Sequence, residues 1–225
     1  MARRRLILMR HAETDYFAEP HIVHSNDTPL TGQGRVQARA AAVVLEGLAF
    51  DRVVTSGTLR TMETARIVVG DRFEPIESWA EFREIESGSL ASLSSTARNE
   101  VFDSFLKGVA APDSTLFGGE TVGELLDRIT STMERLQRDD TWKSILLVSH
   151  GVANRAILSW ALMNGKKKVL FGNLEQAFAC INIVDFIDHD LVVRLSNYCP
   201  YDPLFGDDQR TTMERLRAQF RDSGS

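Results

Sequence analysis

Two short apolar runs, each ending abruptly in a polar pair that contains histidine, constrain the fold of this chain more than any other feature. The first run, Leu6–Met9, is followed by Arg10-His11, and the second, Ser144–Val148, is followed by Ser149-His150. Runs of this kind are typical of strands buried inside a sheet. Because α/β proteins bind ligands at the carboxyl ends of their strands, both polar pairs are candidates for one binding site.

Segments with apolar residues at helical spacing separate the predicted strands. We predict helices over 31–48, 58–69, 97–108, 122–138 and 152–163, a strand over 52–55, short extended pieces within 73–90, and a hairpin of strands 178–187 and 191–197. The residues at helical spacing in the first helix are Val36, Ala40, Val43, Val44 and Leu48. The helix over 122–138 also begins with a capping box, in which Thr121 is followed three residues later by Glu124.

This order of elements predicts an α/β fold, a three-layer sandwich with a mostly parallel central sheet and helices on both faces. We expect one domain over 1–225, because no repeat or flexible linker interrupts the pattern. The least regular stretch, 78–120, is expected to form a small inserted lobe. The tail 207–225 contains an amphipathic helix over 207–221 that could dock on its own domain or on a partner subunit, so a homodimer is one alternative.

Charge and composition exclude several classes of function. The chain has 26 Lys and Arg against 31 Asp and Glu, a net charge of −5, which argues against binding to nucleic acid but permits a small cationic pocket. The apolar runs fall short of the 18 or so residues needed to span a membrane. Cys180 and Cys199 form neither a disulfide framework nor a metal-ligand pattern. We therefore expect a cytoplasmic protein with neither a nucleic acid nor a membrane as partner.

Four short motifs, in a fixed order, surround the two histidines. They are Arg10-His11-Ala12-Glu13-Thr14, Ser56-x-x-x-Arg60-x-x-x-Thr64-Ala65, Arg83-Glu84-Ile85-Glu86 and Ser149-His150-Gly151. Either histidine alone would more often be structural, but the combination is specific. With Asp27-x-Pro29-Leu30-Thr31 and Gly118-Gly119-Glu120-Thr121, the sequence resembles the histidine phosphatase superfamily, in its phosphoglycerate-mutase-like branch, over residues 1–165. The resemblance implies an α/β sandwich with a lobe over the active site.

The resemblance also implies roles for five residues. His11 would be the nucleophile that forms a phosphohistidine, Glu84 the acid for the leaving oxygen, and Arg10, Arg60 and a protonated His150 the cations around the phosphate. The second ring nitrogen of His11 must then donate a hydrogen bond, which we expect to reach a backbone carbonyl. Such chemistry requires neither a metal nor a cofactor, and a cluster of His11, His21, His24 and His150 lacks metal-ligand spacing.

Several assignments stay open from the sequence. If 82–86 is extended, Glu84 and Glu86 share a face, and the family pattern favours Glu84. An acid directly after the second histidine is disfavoured because Gly151 stands there. Phe17 stands where many members have a phosphate-binding Asn, and Asn26 or Ser25 could replace that contact. Glu120 either lines the pocket or is a charge beside a helix start.

The sequence favours a metal-independent phosphomonoester hydrolase that acts on a small phosphorylated metabolite. The alternatives are a phosphoglycerate mutase and a non-catalytic phosphate-binding or adaptor protein. Mutases carry extra basic residues in the lobe, whereas Arg98 and Lys107 are the only basic residues between Ile85 and Leu125 in this sequence. The aromatic and aliphatic residues of the lobe could instead be its core. The physiological substrate is not encoded in any motif.

Overall fold

The computed structural model of the chain describes residues 3–15, 26–88, 105 and 108–206. The strands are β1 (Arg3–Arg10), β2 (Arg52–Thr55), β3 (Glu77–Ser78), β4 (Val109–Ala110), β5 (Ser144–Ser149), β6 (Leu170–Phe171), β7 (Ile181–Ile187) and β8 (Asp190–Tyr198). The helices are α1 (Gly32–Val44), α2 (Leu59–Val69), α3 (Val122–Arg138) and α4 (Gly151–Leu162), with single turns of 3-10 helix at Gly70–Arg72 and Ala80–Phe82.

Six strands form the main sheet in the order β3-β2-β5-β1-β7-β8. The pairs β3–β2, β2–β5 and β5–β1 are parallel, and β7 and β8 add an antiparallel edge beside β1. The sheet is therefore mostly parallel, as the alternation of strands and helices predicted. In the part of the chain described, no helix is both long and apolar enough to cross a membrane.

Alternate side chains of β1 serve two cores, one on each face of the sheet. Leu6 and Leu8 pack with residues of α3 and α4, including Ile129. Ile7 and Met9 pack on the opposite face with residues of α1 and α2, in a cluster that also holds Ala41, Val68 and Val69. Because successive side chains of a strand point to opposite faces, the apolar run Leu6–Met9 of β1 requires both layers of helices. The prediction of a three-layer α/β sandwich is confirmed.

Local signals place the ends of the helices close to the predicted bounds. The capping box at α3 is present: the Thr121 hydroxyl accepts from the Glu124 amide, and the Glu124 carboxylate accepts from the Thr121 amide. Helix α2 begins after Thr58 and ends at Gly70, whose φ of 56° suits a residue without a side chain. Both boundaries fall where the sequence predicted them.

Helix α1 departs from the prediction in its end and in its buried face. It ends at Val44 rather than at Leu48, and its large apolar residues Val36 and Val43 are 46% and 71% exposed. The buried positions are instead Gly34, Gln37, Ala38 and Ala41. A Cβ at Gly34 would lie 2.1 Å from the carbonyl oxygen of Glu13. At Gly34 the helix therefore packs too closely on the loop after β1 for a side chain to fit, and its valines face outward.

The described part of segment 78–120 contributes to the main core. Phe105 and Phe117 are buried in the same cluster as Ile129 and Leu125 of α3. Strand β4 pairs with β6 in a separate small sheet. Most of the helix predicted over 97–108 and all of the tail helix predicted over 207–221 lie outside the described residues.

Candidate active site

The two histidines meet because their strands are neighbours in the sheet. Strands β1 and β5 are parallel, with Arg10 opposite Ser149, so the next residues, His11 and His150, emerge at the same edge. Their ring centroids lie 5.2 Å apart, edge to face, and both residues are buried. The structure thus brings together the two strand ends that the sequence singled out.

His11 has a fixed tautomer and an unusually low basicity. Its Nδ1 lies 2.8 Å from the carbonyl oxygen of Ala12, which can only accept, so Nδ1 carries the proton and Nε2 is the unprotonated nitrogen of the neutral ring. Burial lowers the pKa of His11 well below its usual range, and the positive charges of Arg60, His150 and Arg10 lower it further. The imidazole is therefore neutral near pH 7, with the hydrogen bond that the sequence analysis expected.

Arg10 is held by groups that follow β6. Its Nη1 donates to the carbonyl oxygen of Gln176 at 2.7 Å, and its guanidinium lies 4.0 Å from the ring centroid of Phe178. Buried amides hold Gln176 in turn: its Nε2 donates to Asn182 at 3.0 Å, and its Oε1 accepts from Asn154 at 3.2 Å. The sequence analysis missed Gln176 and Phe178, since no motif marks residues 174–180.

Arg60 enters the site from the first turn of α2. It is only 3% exposed, and its backbone carbonyl accepts from the Thr64 hydroxyl at 2.7 Å. The same hydroxyl accepts from the amide of Ala12 at 3.0 Å. Thr64 thereby joins α2 to the residue that follows His11, which fixes Arg60 and the imidazole relative to each other. This contact gives a physical role to the Thr of the second motif.

The second histidine rests on a cluster of buried hydroxyls. His150 Nε2 lies 2.7 Å from Ser56 Oγ, and Ser56 Oγ lies 3.1 Å from Thr61 Oγ1 and 3.3 Å from Thr58 Oγ1. A hydroxyl can both donate and accept, so Ser56 can pair with His150 Nε2 whichever of the two carries the proton. The hydroxyl cluster therefore fixes the orientation of the His150 ring. Ser56 belongs to the second motif, but the sequence analysis gave it no role.

Glu84 reaches the start of α4 directly after His150. Its carboxylate accepts from the amides of Val152 and Ala153 at 3.0 Å, and from its neighbour Ile85 at 3.1 Å. A helix N-terminus favours such a negative group. A Cβ on Gly151 would lie 3.6 Å from both Glu84 Oε2 and Arg10 Nε. Gly151, the position after the second histidine, therefore lies next to the carboxylate of Glu84, the acid that the sequence analysis favoured.

The segment that carries Glu84 is held from α3. Arg128 donates to both carboxylate oxygens of Glu120, at 2.7 and 2.8 Å, and to the carbonyl oxygens of Glu81, Arg83 and Glu84. Glu120 also accepts from the amide of Glu86 at 3.1 Å. Glu120 thus both lines the pocket and braces the acid segment.

A cavity of about 450 Å³ opens beside these groups. Its lining residues are Asn26, Thr58, Arg60, Ala80, Arg83, Glu84, Ile85, Glu86, Ser87, Glu120 and Arg128. Asn26 is therefore in a position to contact a ligand, whereas Phe17, Ser25, His21 and His24 lie outside the described residues. Within the described residues, no group of three or more His, Cys, Asp or Glu could hold a metal ion.

Comparison with known proteins decides the family. The family model of the histidine phosphatase superfamily (branch 1) matches residues 6–198. This chain belongs to the histidine phosphatase superfamily. Residues 10, 11, 60, 84 and 150 all lie within the matched range.

Relatives within the histidine phosphatase superfamily include both phosphatases and mutases by name. An uncharacterized phosphatase of Bacillus subtilis, PhoE, is 26% identical over 181 residues, which cover 80% of this chain and 88% of the relative. A probable phosphoglycerate mutase of Escherichia coli, GpmB, is 29% identical over 160 residues, which cover 70% of this chain and 74% of the relative.

A solved structure shares the fold. A mycobacterial glucosyl-3-phosphoglycerate phosphatase superposes with a TM-score of 0.69 at 23% identity, covering 87% of this chain and 99% of that one. At this identity the likeness concerns the fold.

Proposed function

We propose that this histidine phosphatase hydrolyses a small phosphomonoester through a phosphohistidine on His11, without a metal ion. The observation that supports it most is the state of His11. The imidazole is neutral, its Nδ1 proton is held by Ala12 O at 2.8 Å, and its unprotonated nitrogen is Nε2, on a ring whose charging is opposed by Arg60, His150 and Arg10. A neutral nitrogen nucleophile surrounded by fixed cations suits phosphoryl transfer.

In the first step, Nε2 of His11 attacks phosphorus, the P–N bond forms, and the ester P–O bond breaks. The leaving oxygen takes a proton from Glu84. The three backbone amides on Glu84 then stabilise the carboxylate that remains. Arg10, Arg60 and protonated His150 offset the charge on the phosphoryl oxygens during transfer.

In the second step, water attacks the phosphohistidine, the P–N bond breaks, and inorganic phosphate is released. The Glu84 carboxylate accepts the proton of the attacking water, so the two steps restore the starting protonation state. Glu84 is thus the acid of the first step and the base of the second. The enzyme needs no cofactor in this scheme.

Substitution of the nucleophile tests the proposal. We expect His11→Ala to abolish turnover of p-nitrophenyl phosphate with the fold retained, since no other group would bond to phosphorus. His189→Ala is the matched control, because His189 lies exposed in the β7–β8 turn. Wild-type turnover should persist in EDTA. Substantial turnover in His11→Ala, or a loss in EDTA that a divalent ion restores, would contradict the proposal.

Product analysis separates the phosphatase from the mutase. A mutase must retain its dephosphorylated product, whereas a phosphatase releases it and forms inorganic phosphate in equal amount. Arg128 lines the cavity but gives its donors to Glu120 and backbone carbonyls, so it is not available to retain a product, which favours hydrolysis. Arg83 also lines the cavity, so product analysis has to decide. Isomerisation of 3-phosphoglycerate faster than its hydrolysis would establish the mutase instead.

A further inference from the structure

Helix α1 presents a stripe of apolar side chains to solvent. Val36, Val43 and Val44 are 46%, 71% and 46% exposed, and Ala40 lies between them in the sequence. Residues three, four or seven apart lie on one side of a helix, so these four side chains form one continuous stripe. The stripe lies on the side of α1 that faces away from the core. A contiguous apolar patch of this kind indicates a site of interaction with another surface.

The surface open to a partner continues from α1 onto α2. A groove of about 280 Å³ lies between the two helices, with Val43 and Glu46 on one side and Ile67 and Gly70 on the other. A Cβ at Gly70 would meet nothing within 4 Å, so this end of the groove is open. The patch is therefore wider than one helix, as a protein partner requires.

The charges at the edge of the stripe favour a second copy of the same chain as the partner. Arg39 and Glu46 are exposed and seven residues apart, so both lie on one edge of the stripe, Arg39 near its middle and Glu46 at its end. In a two-fold contact the same patch meets itself. If the two helices are antiparallel, Glu46 of the second copy lies on the edge that carries Arg39, and the reverse holds as well. Opposite charges thus flank the apolar stripe twice.

We propose that this protein forms a two-fold dimer in which α1 packs antiparallel against α1 of a second copy, centred on Ala40. In this register Val36 faces Val44 of the second copy, because both residues lie four positions from Ala40. The small side chain at the centre lets the two helices approach closely. The dimer covers the outer face of the helix whose inner face holds Gly34 against the loop after His11.

The oligomeric state of the whole chain tests the proposal. We expect sedimentation velocity to show a monomer–dimer equilibrium over about a hundredfold range of protein concentration. Val43→Arg should raise the dissociation constant by at least about thirtyfold, because the dimer would then bury two unpaired guanidinium groups. Val109→Arg is the matched control, since Val109 is 58% exposed on β4, away from the stripe, and it should dimerise like the wild type.

Exchange of the edge charges tests the antiparallel arrangement. Arg39→Glu and Glu46→Arg should each weaken the dimer by about two- to tenfold, because each brings like charges together across the contact. The double variant should recover most of the wild-type affinity. Failure of the double variant to recover it overturns the antiparallel arrangement.

Other results would overturn the dimer contact as a whole. A monomer at every concentration does so, as does a dimer that persists unchanged in Val43→Arg. A dimer weakened by Phe220→Ser but not by Val43→Arg assigns the contact to the tail instead. Val36→Arg provides a second variant of the stripe if Val43→Arg does not fold, as judged by urea denaturation. The residues of the stripe do not line the cavity, so the outcome is independent of the proposed function.

Discussion

At the scale of single residues, His11 shows how a buried site keeps a histidine neutral. Burial removes the water that would stabilise an added proton, and Arg60, His150 and Arg10 oppose that proton electrostatically. A single carbonyl, that of Ala12, sets which nitrogen is protonated. The imidazole of the proposed nucleophile is thus neutral and oriented by its surroundings before any substrate binds.

The lowered pKa of His11 makes folding stability depend on pH. Below the unfolded pKa of about 6.5, the unfolded chain binds a proton at this residue and the folded chain does not, so stability is lost as pH falls. We expect wild-type protein to lose about 2 kcal/mol more than His11→Gln between pH 7 and pH 5, measured by urea denaturation. His189→Gln should follow the wild-type curve. Parallel curves for wild type and His11→Gln would show that His11 is not desolvated in the fold.

Glu84 should matter more for poor leaving groups than for good ones. Glu84→Gln removes the proton donor, so formation of the phosphoenzyme from an alkyl phosphate should slow by about 10²- to 10⁴-fold. Formation from p-nitrophenyl phosphate, whose leaving oxygen departs unprotonated, should slow far less. Rapid-quench measurement of the first turnover tests this. Equal slowing of both substrates would assign Glu84 a structural role and make Glu86 the next candidate.

At the scale of elements, backbone contacts fix the site more than side-chain volume does. Helix α1 presses Gly34 against the carbonyl of Glu13, two residues after His11, and Arg128 of α3 holds the segment that carries Glu84. The first contact joins α1 to the loop after β1. The second joins α3 to the segment after the Ala80–Phe82 turn. Displacement of α1 should therefore disturb the loop that follows His11.

Two glycines of α1 offer a matched test of this close packing. Gly34→Ala places a Cβ 2.1 Å from Glu13 O and should cost about 1–3 kcal/mol of unfolding free energy, with a loss of activity. Gly32→Ala meets nothing within 4 Å and should change stability by less than about 0.5 kcal/mol. Chemical denaturation of both variants measures the difference. Equal stability would mean that α1 does not pack closely on this loop.

The elements were predictable from sequence to the extent that their signals are local. The periodicity, the capping box of α3 and the Gly70 end of α2 gave bounds within a few residues. The buried face of α1 could not be predicted, because it depends on a backbone contact with a distant loop. In the site, parallel pairing of β1 with β5 made the meeting of His11 and His150 foreseeable. Gln176 and Phe178 could not be foreseen, since they reach Arg10 from an unmarked segment.

At the scale of the whole molecule, the sign of the charge differs between the surface and the site. The chain carries a net charge of −5, yet Arg10 and Arg60 are both less than 5% exposed at the edge of the sheet. Two buried arginines at one place suit the proposed phosphate site without making the protein a general polyanion binder. Four expectations from the sequence stay predictions: the helix in the tail 207–225, the docking of that helix, the inserted lobe over 78–120 and the cytoplasmic location.

Direct detection of the phosphoenzyme tests the central claim. Wild-type protein mixed with p-nitrophenyl phosphate is quenched within the first turnover, and its mass and phosphorylated peptide are determined under alkaline and acidic conditions. We predict one phosphoryl group, on His11, that is lost in acid and absent from His11→Ala. Turnover in which no phosphoenzyme forms, or a phosphoryl group on any residue other than His11, would contradict the account.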